Sequence, residues 1–385
     1  MQVHKNAPNN LLTITSLSAI AVGISMLACS TGPTTTGVPV QPKVGLVAQG
    51  ESFSNLTAIT ENMENCDQAA TSVDGKVVFA CYRDNNWDLF LKTSPTGGAV
   101  QKLTSHGAQD INPAISADGQ RIAFASNRSG NYDIFIMSLN GGTAKQQVTD
   151  NQAVEYSPSW SPDGSMIVYT RLDPIDNEYY IWIKNLETNA NIQLGPGLSP
   201  KFSPDGETIL FQRASKQGKK WFGLWSMDLN GSRLTQIVSS DEWGAIDANW
   251  SPDGEKFIFV SSKGTSGRFV NEVGSKYIPT SQTSNNLWVV NKDGSAMTQL
   301  TTHPKDDIQP SWSAQNHIYF TSWRDGKQRI WRFTPILPDN YVPNTVQPMS
   351  EPKNDIMEDP EAPSNEPIAE DPNGSNDTVN KPEGE

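Results

Sequence analysis

A repeated heptapeptide constrains this chain more than any other feature. It occurs five times, as AATSVDG, PAISADG, PSWSPDG, PKFSPDG and ANWSPDG, with its aspartates at Asp74, Asp118, Asp163, Asp205 and Asp253. Successive aspartates are 44, 45, 42 and 48 residues apart. A sixth, eroded copy, PSWSAQN, begins at Pro310. A period of this length predicts a repeat architecture.

Each repeat reads as four short strands. The first ends at the Ser-x-Asp-Gly turn, where the aspartate bonds the turn backbone and the glycine supplies a positive φ. A β-branched and aromatic run follows, and the third strand carries an aromatic residue after an aliphatic one, as at Leu89-Phe90. The fourth strand ends in motifs such as Lys102-Leu103-Thr104. Four antiparallel strands in a repeat of this length form one blade of a propeller.

These repeats resemble the WD40-like (PD40) repeats of the TolB family, closely from Asn112 to Gly142 and more loosely elsewhere between Gly50 and Pro335. The resemblance implies an all-β, six-bladed β-propeller. It also implies a docking surface, because the TolB propeller holds an envelope lipoprotein. The α/β domain that precedes the propeller in TolB has no counterpart here, which argues against a dedicated Tol role. Related repeats occur in oligopeptidases and carbohydrate lyases.

The sixth repeat is incomplete. Pro335, Pro338 and Pro343 stand where its fourth strand is expected, and proline does not fit inside a hydrogen-bonded sheet. At the other end of the propeller, Ser54-Asn55-Leu56-Thr57 matches the fourth-strand endings. We therefore predict that this N-terminal segment completes blade 6 and closes the ring.

The N-terminus carries an export signal. After a short positive start, an apolar run from Leu11 to Ala28 is typical of a secretory signal peptide. Its end, Met26-Leu27-Ala28-Cys29-Ser30, resembles the bacterial lipobox, although Met26 replaces the usual Leu, Val or Ile. The resemblance implies a lipidated Cys29 that holds the protein permanently in the outer membrane. The alternatives are an uncut spanning helix, or ordinary cleavage that leaves Cys29 free.

These features divide the chain into four segments. We predict a signal peptide (1–28), the lipidated cysteine with an extended tether (29–49), the propeller (50–337) and a proline-rich, acidic, disordered tail (338–385). Residues 351–385 hold eleven acidic and two basic side chains, so they carry −9 of the net charge of −13. An acidic chain without a basic cluster argues against nucleic-acid binding.

Two cysteines flank the first Asp-Gly turn. Cys66 lies at the start of the first strand of blade 1 and Cys81 at the end of the second. The turn brings them nearly opposite, and an exported protein folds in an oxidising compartment. We predict a disulfide that stabilises the fold by about 3 kcal/mol. Two buried free thiols are the alternative.

Strand direction assigns the loops to two faces. If the first strand of each blade runs from top to bottom, the connections after strands two and four lie at the top. The bottom turns are short and alike, whereas the connection after strand two grows from five residues in blade 2 to about 25 in blade 5. Irregular loops on a rigid scaffold usually carry binding, so the top face is the candidate surface. Loop drift without function is the alternative.

Acidic residues recur where the first strand of each blade begins, around the expected channel mouth: Asp67, Asp110, Glu155, Asp247 and Asp307. His106 and His303 each lie four residues before one of these aspartates or its counterpart. A ring of carboxylates and imidazoles would hold a divalent cation or a basic group. Alternatively, the aspartates cap the strands and the histidines are solvated.

The top loops also hold basic and aromatic candidates for binding: Trp221, Trp243, Lys216, Lys219 and Lys220. The lysines favour an acidic partner surface. Three further tryptophans belong to the repeat itself and are predicted to pack between blades: Trp160, Trp250 and Trp312.

No catalytic motif stands out in the sequence, which has no Gly-x-Ser-x-Gly elbow. We therefore expect a monomeric, lipid-anchored scaffold of the cell envelope that docks another protein or peptide, such as a lipoprotein, on its top face. The alternative is a carbohydrate-binding protein or lyase with a metal at the channel mouth.

Overall fold

The computed structural model describes residues 52–139, 145–214, 222–240, 243–262 and 284–337. Within these ranges the chain forms 24 strands in six four-stranded antiparallel sheets. Blade 6 takes its outermost strand, β1 (Phe53–Ala58), from the N-terminal end. The predictions for 1–51 and 338–385 lie outside the described residues.

The first three blades are consecutive in the chain. Their strands are β2 (Cys66–Thr71), β3 (Val77–Arg83), β4 (Asn86–Ser94), β5 (Gly97–Lys102), β6 (Asp110–Ile115), β7 (Arg121–Ser126), β8 (Asp133–Ser138), β9 (Lys145–Gln147), β10 (Val154–Trp160), β11 (Met166–Leu172), β12 (Tyr179–Asn185) and β13 (Asn191–Pro196). The remaining strands are β14 (Leu198–Phe202), β15 (Thr208–Ala214), β16 (Phe222–Asp228), β17 (Thr235–Val238), β18 (Ala245–Trp250), β19 (Lys256–Ser261), β20 (Asn286–Asn291), β21 (Thr298–Gln299), β22 (Asp307–Trp312), β23 (Ile318–Ser322) and β24 (Arg329–Pro335). The predicted all-β, six-bladed propeller is confirmed.

The Ser-x-Asp-Gly turn repeats one hydrogen-bond pattern. In blade 3, Ser161 Oγ donates to Asp163 Oδ1 at 2.5 Å and accepts from Met166 N at 2.9 Å. Gly164 has φ +71°, which glycine adopts without a steric penalty. The corresponding serine makes the same two bonds in the other four Asp-Gly turns. The turn therefore fixes where each first strand ends.

The ring closes as predicted. Strand β1 pairs antiparallel with β24, and the Phe53 ring stacks on Phe333 at 4.6 Å. Proline at the end of β24 leaves this position to a strand from the other end of the propeller. The N-terminal segment thus supplies the missing fourth strand of blade 6.

The predicted register of that strand was wrong by three residues. In blade 1, Thr104 Oγ1 accepts a hydrogen bond from Leu89 N at 2.9 Å. In blade 6 the same role falls to Thr60, whose Oγ1 accepts from Ile330 N at 3.1 Å. The counterpart of Leu103-Thr104 is therefore Ile59-Thr60 rather than Leu56-Thr57, because Ile59 takes the place of the leucine.

The hydrophobic core lies between neighbouring blades. Trp160 packs in the cluster shared by blades 2 and 3, and its Nε1 donates to Ala114 O of blade 2 at 3.1 Å. Trp250 likewise reaches Lys201 O of blade 4 at 3.4 Å. Trp312 is buried in the cluster between blades 5 and 6. These three tryptophans pack between blades, as predicted.

Candidate functional site

The first strands of the six blades line a central cavity of about 110 Å³. Each carries a β-bulge whose central residue has a φ between 50° and 58°, which non-glycine residues adopt only with strain. These residues are Gln68, Asn112, Ser157, Ser199, Asp247 and Gln309. The bulge turns a polar side chain of every blade toward the cavity.

Side chains from the preceding blade satisfy several of these bulges. Gln68 Oε1 accepts from Asn112 N at 2.7 Å, and Gln212 Oε1 accepts from Asp247 N at 2.8 Å. Thr170 Oγ1 accepts from Ser199 N at 3.0 Å. Because a buried backbone N–H needs an acceptor, these bonds fix the relative position of adjacent blades.

Of the five predicted acidic residues, one lines the central cavity and four are buried. Asp247 lines the cavity together with Lys201. Burial lowers the pKa of Lys201, and the negative charge of Asp247 offsets part of that decrease. Asp67, Asp110, Glu155 and Asp307 are instead buried at the start of their strands. The sequence pattern placed them at the strand beginnings but did not reveal that they are buried.

Two of the buried acids are neutralised by arginines from the top loops. Arg128 Nη2 lies 2.6 Å from Asp110 Oδ1, and Arg324 Nη2 lies 2.5 Å from Asp307 Oδ2. Both arginines follow strand two of their blade in a Ser-x-Arg pattern that sequence reasoning missed. The pairs tie the top loops of blades 2 and 6 to the ring.

Glu155 occupies the equivalent position in blade 3 without such an ion pair. It is paired across the sheet with Arg171, whose guanidinium lies over the Trp182 ring at 4.6 Å. Asn151 Nδ2 donates to Glu155 Oε1 at 2.5 Å, while Oε2 has no hydrogen-bond partner among the described residues. Burial raises the pKa of Glu155 to about 7.

Asp67 lies beside the disulfide of blade 1. Cys66 and Cys81 face each other across β2 and β3 and are covalently joined, with an S–S distance of 2.03 Å. Asp67 is buried, and Gln328 Nε2 donates a hydrogen bond to its Oδ2 at 3.4 Å. Burial raises the pKa of Asp67 to about 8.

The two histidines close turns in the top loops. His106 Nδ1 accepts from Ala108 N at 3.2 Å, and His303 Nδ1 accepts from Lys305 N at 3.1 Å. The structure does not bring these rings together with the buried carboxylates. Across the described ranges, no group of three or more His, Cys, Asp or Glu side chains is placed to hold a metal ion.

The remaining candidates are the aromatic and basic residues of the top loops. Trp243 is partly buried against the core cluster of blades 4 and 5, so part of its ring serves packing. Trp221, Lys216, Lys219 and Lys220 lie outside the described residues, as does Cys29.

Three top loops of equal length differ in how they are used. The connections 127–132, 173–178 and 323–328 of blades 2, 3 and 6 each have six residues. The first and third insert the arginines described above. The loop of blade 3 has Pro174 at the second position, where the other two have their arginine, and presents Ile175 to solvent, with 94% of its surface exposed. Sequence reasoning also missed this residue, which no repeat pattern marks.

The fold and its ring of bulged inner strands define a six-bladed propeller with a narrow polar channel. The TolB beta propeller domain family (PD40) matches residues 52–173 and 141–279. These matches together span more than half of the chain, which therefore belongs to this family.

Solved structures with the same fold include proteins of different function. A protein assigned as TolB from Agrobacterium tumefaciens is 20% identical, with a TM-score of 0.52, over 73% of this chain and 97% of its own. A gluconolactonase from Xanthomonas campestris is 14% identical (TM-score 0.52; 80% and 100% covered). An oligogalacturonate lyase from Vibrio parahaemolyticus is 15% identical (TM-score 0.51; 77% and 99% covered). At these identities the likeness shows the fold alone.

Within the described ranges, the chain forms no helix long and apolar enough to cross a membrane.

Proposed function

We propose that this protein is a lipid-anchored scaffold of the bacterial cell envelope that docks another protein or peptide on the top face of its propeller. The observation that carries the proposal is the contrast between the two faces. On the bottom face, the serine of the Asp-Gly turn makes the same bonds in five blades. On the top face, the connection after the second strand ranges from two residues (84–85) to 24 (262–285).

This contrast favours binding at the top because the repeated parts already account for the fold. The bottom turns, the inner bulges and the Leu-Thr endings recur from blade to blade. Loops that differ in length and sequence on such a scaffold are free to specialise. The buried acids and the histidines at the top make local contacts that organise these loops, which supports a role in presenting a surface.

A crosslinking experiment in cells tests the proposal. A photoreactive amino acid is placed at Gln152 or Lys305, which are exposed in top loops, and at Val73 or Thr188, which are exposed in bottom turns. We expect a discrete crosslinked protein from the top positions and none from the bottom positions. Equal capture from both faces, or no capture from either top position, would contradict the proposal.

The anchor is tested separately. The Cys29→Ser variant should lose fatty-acid labelling and move from the membrane to the soluble fraction, because the acyl chains are gone. Continued labelling and membrane association would sink this part of the proposal without touching the docking surface.

The second candidate is a carbohydrate-binding protein or lyase. It rests on the polar cavity, which Lys201 and Asp247 line, and on the fold shared with the oligogalacturonate lyase. A screen of purified protein against acidic oligosaccharides, with metal analysis, tests it. Turnover that Lys201→Ala abolishes would favour the enzyme over the scaffold.

A further inference from the structure

The loop of blade 3 between β11 and β12, residues 173–178, differs from its equals in blades 2 and 6. In those blades an arginine of the loop pairs with a buried aspartate of the first strand. Here the most exposed large apolar side chain of the described residues, Ile175, stands at the loop tip. Single exposed apolar residues are common, but hydrogen bonds on both sides of Ile175 hold this one in place.

The loop backbone is held in one conformation. Asp173 N donates to Glu178 O at 2.9 Å, and Asn177 N donates to Asp173 O at 3.0 Å. Asp173 Oδ1 accepts from Ile175 N at 2.8 Å. Pro174 fixes its own φ, which further reduces the freedom of the tip. Ile175 is therefore presented to solvent at the tip of a turn that hydrogen bonds close.

A second set of bonds joins the loop to the strand that follows. Asp176 Oδ1 accepts from Glu178 N at 2.9 Å, and Asp176 Oδ2 accepts from the Tyr180 hydroxyl at 2.7 Å. Tyr179 packs edge-on against Tyr156, which belongs to the core between blades 2 and 3. The apolar tip thus rests on a rigid base.

The surroundings of Ile175 are acidic. Asp173, Asp176 and Glu178 lie within three residues of it, and the segment 172–180 contains no basic residue. The nearest arginine in the chain, Arg171, has its guanidinium over the Trp182 ring instead. The loop therefore offers one exposed apolar side chain among three acidic residues of the same loop.

We propose that this loop is a preformed anchor that inserts Ile175 into an apolar pocket of a partner protein, with lysine or arginine side chains on the rim of that pocket. The inference rests on the proposed docking function and names the chemistry of the partner. A rigid anchor loses little conformational entropy on binding. An apolar side chain buried at the centre and charges at the rim are the arrangement that gives affinity and orientation, respectively.

The test uses the full-length protein in cells, with the photoreactive residue at Gln152 as the readout of capture. We expect Ile175→Ser to reduce capture at least about tenfold, as for loss of a central anchor, while Ile175→Val retains most of it. The matched control is Ile192→Ser, which changes a 55% exposed isoleucine on β13 of the same blade, and it should leave capture unchanged. Undiminished capture by Ile175→Ser would overturn the anchor and leave the docking function intact.

The charge is tested by the double variant Asp173→Asn with Glu178→Gln, because Asn retains the acceptor that bonds Ile175 N. We expect weaker capture and a smaller dependence on salt. A photoreactive residue is then placed at Pro174, and mass spectrometry of the crosslinked product identifies the partner peptide that this position contacts. Apolar residues flanked by Lys or Arg support the proposal, whereas an acidic or wholly polar contact surface overturns it. If Gln152 and Lys305 capture nothing in the unmodified protein, the docking function itself fails.

Discussion

The bottom turns and the top loops of this propeller both connect antiparallel strands, but the Asp-Gly bottom turns repeat one structure whereas the top loops differ from blade to blade. Each Asp-Gly bottom turn uses a serine, an aspartate and a glycine in one hydrogen-bond pattern. The top loops of blades 2, 3 and 6 have equal length, yet two bury an arginine against Asp110 or Asp307 and one exposes an isoleucine. The repeated residues therefore maintain the fold, and the top loops are where the blades differ from one another.

The difference between blades 2, 6 and 3 also has an electrostatic side. Asp307 has an arginine within hydrogen-bond distance, which offsets part of the effect of its burial on its pKa. Glu155 has no ion pair of this kind, and burial raises its pKa to about 7. In blade 3 the described residues give Glu155 a hydrogen bond from Asn151 to Oε1 and no partner for Oε2.

The largest expected effect comes from ring closure, which is a feature of the fold. Deletion of residues 53–60 removes β1 together with Thr60, and so exposes the edge of β24. We expect the melting temperature to fall by more than about 10 °C, or the protein to become insoluble. Replacement of 173–178 by a six-residue Gly-Ser segment should change it by less than about 4 °C. Similar losses in both variants would break the comparison between repeated and specialised parts.

The next effect concerns the buried ion pair of blade 6. Arg324→Met leaves the buried Asp307 carboxylate unpaired, so we expect a loss of about 3–5 kcal/mol in urea unfolding. Lys292→Met breaks the exposed pair with Glu255 and should cost less than about 1 kcal/mol. The addition of Asp307→Asn to Arg324→Met should recover much of the loss. Equal costs for the two single variants would show that Arg324 does not hold the ring.

Glu155 gives a prediction with a defined pH window. Its pKa is about 7 when folded and 4.5 ordinarily, so the folded state binds the extra proton between these values. The free energy of unfolding therefore falls as pH rises from 4.5 to 7, because the folded state must release this proton. Glu155→Gln retains the acceptor for Asn151 and removes the titration. We expect it to match the parent at pH 4.5 and to exceed it by about 3 kcal/mol at pH 8.

Urea unfolding of the Glu155→Gln variant and of the parent across that range measures the difference directly. Asp67 titrates in both proteins, so its contribution cancels. A variant that is less stable than the parent at pH 8 would mean that the Glu155 carboxylate is stabilised by a partner.

The smallest effect belongs to the bottom turn. Ser161→Ala removes the hydroxyl that bonds Asp163 and Met166 N, and should cost about 1 kcal/mol. The same change at Ser116 or Ser203 should cost a similar amount, because their turns make the same bonds. Costs that differ severalfold between blades in urea unfolding would show that the turns are not equivalent.

The repeat predicted the architecture because the same short sequence patterns recur in most blades. Alternation, the Asp-Gly turn and the Leu-Thr ending are properties of short segments, so they are visible without a structure. The inner bulges were not, since their positive φ falls on residue types as different as Gln68, Asn112 and Ser157, so no single residue marks the position. The predicted register of β1 was wrong because Leu56-Thr57 matches Leu103-Thr104 more closely in sequence than Ile59-Thr60 does. In the core, however, isoleucine and leucine can fill the same position.

The candidate site was only partly predictable. The sequence located Asp110, Glu155 and Asp307 at strand beginnings, yet whether a carboxylate faces solvent or the interior depends on the pleat and the bulge. The arginines that bind Asp110 and Asp307 come from a separate segment and needed the fold to meet them. Ile175 belongs to no pattern, and only its exposure distinguishes it.

The most direct test exchanges the contrasted loops. Residues 173–178 are replaced by Asn127-Arg128-Ser129-Gly130-Asn131-Tyr132, which has the same length and places an arginine at the second position of the loop. Both the melting temperature and capture from the photoreactive residue at Gln152 are then measured. We expect a melting temperature within about 4 °C of that of the parent and capture reduced at least about tenfold. Full capture by the folded exchange protein would contradict the claim that the specialised loop of blade 3 binds the partner.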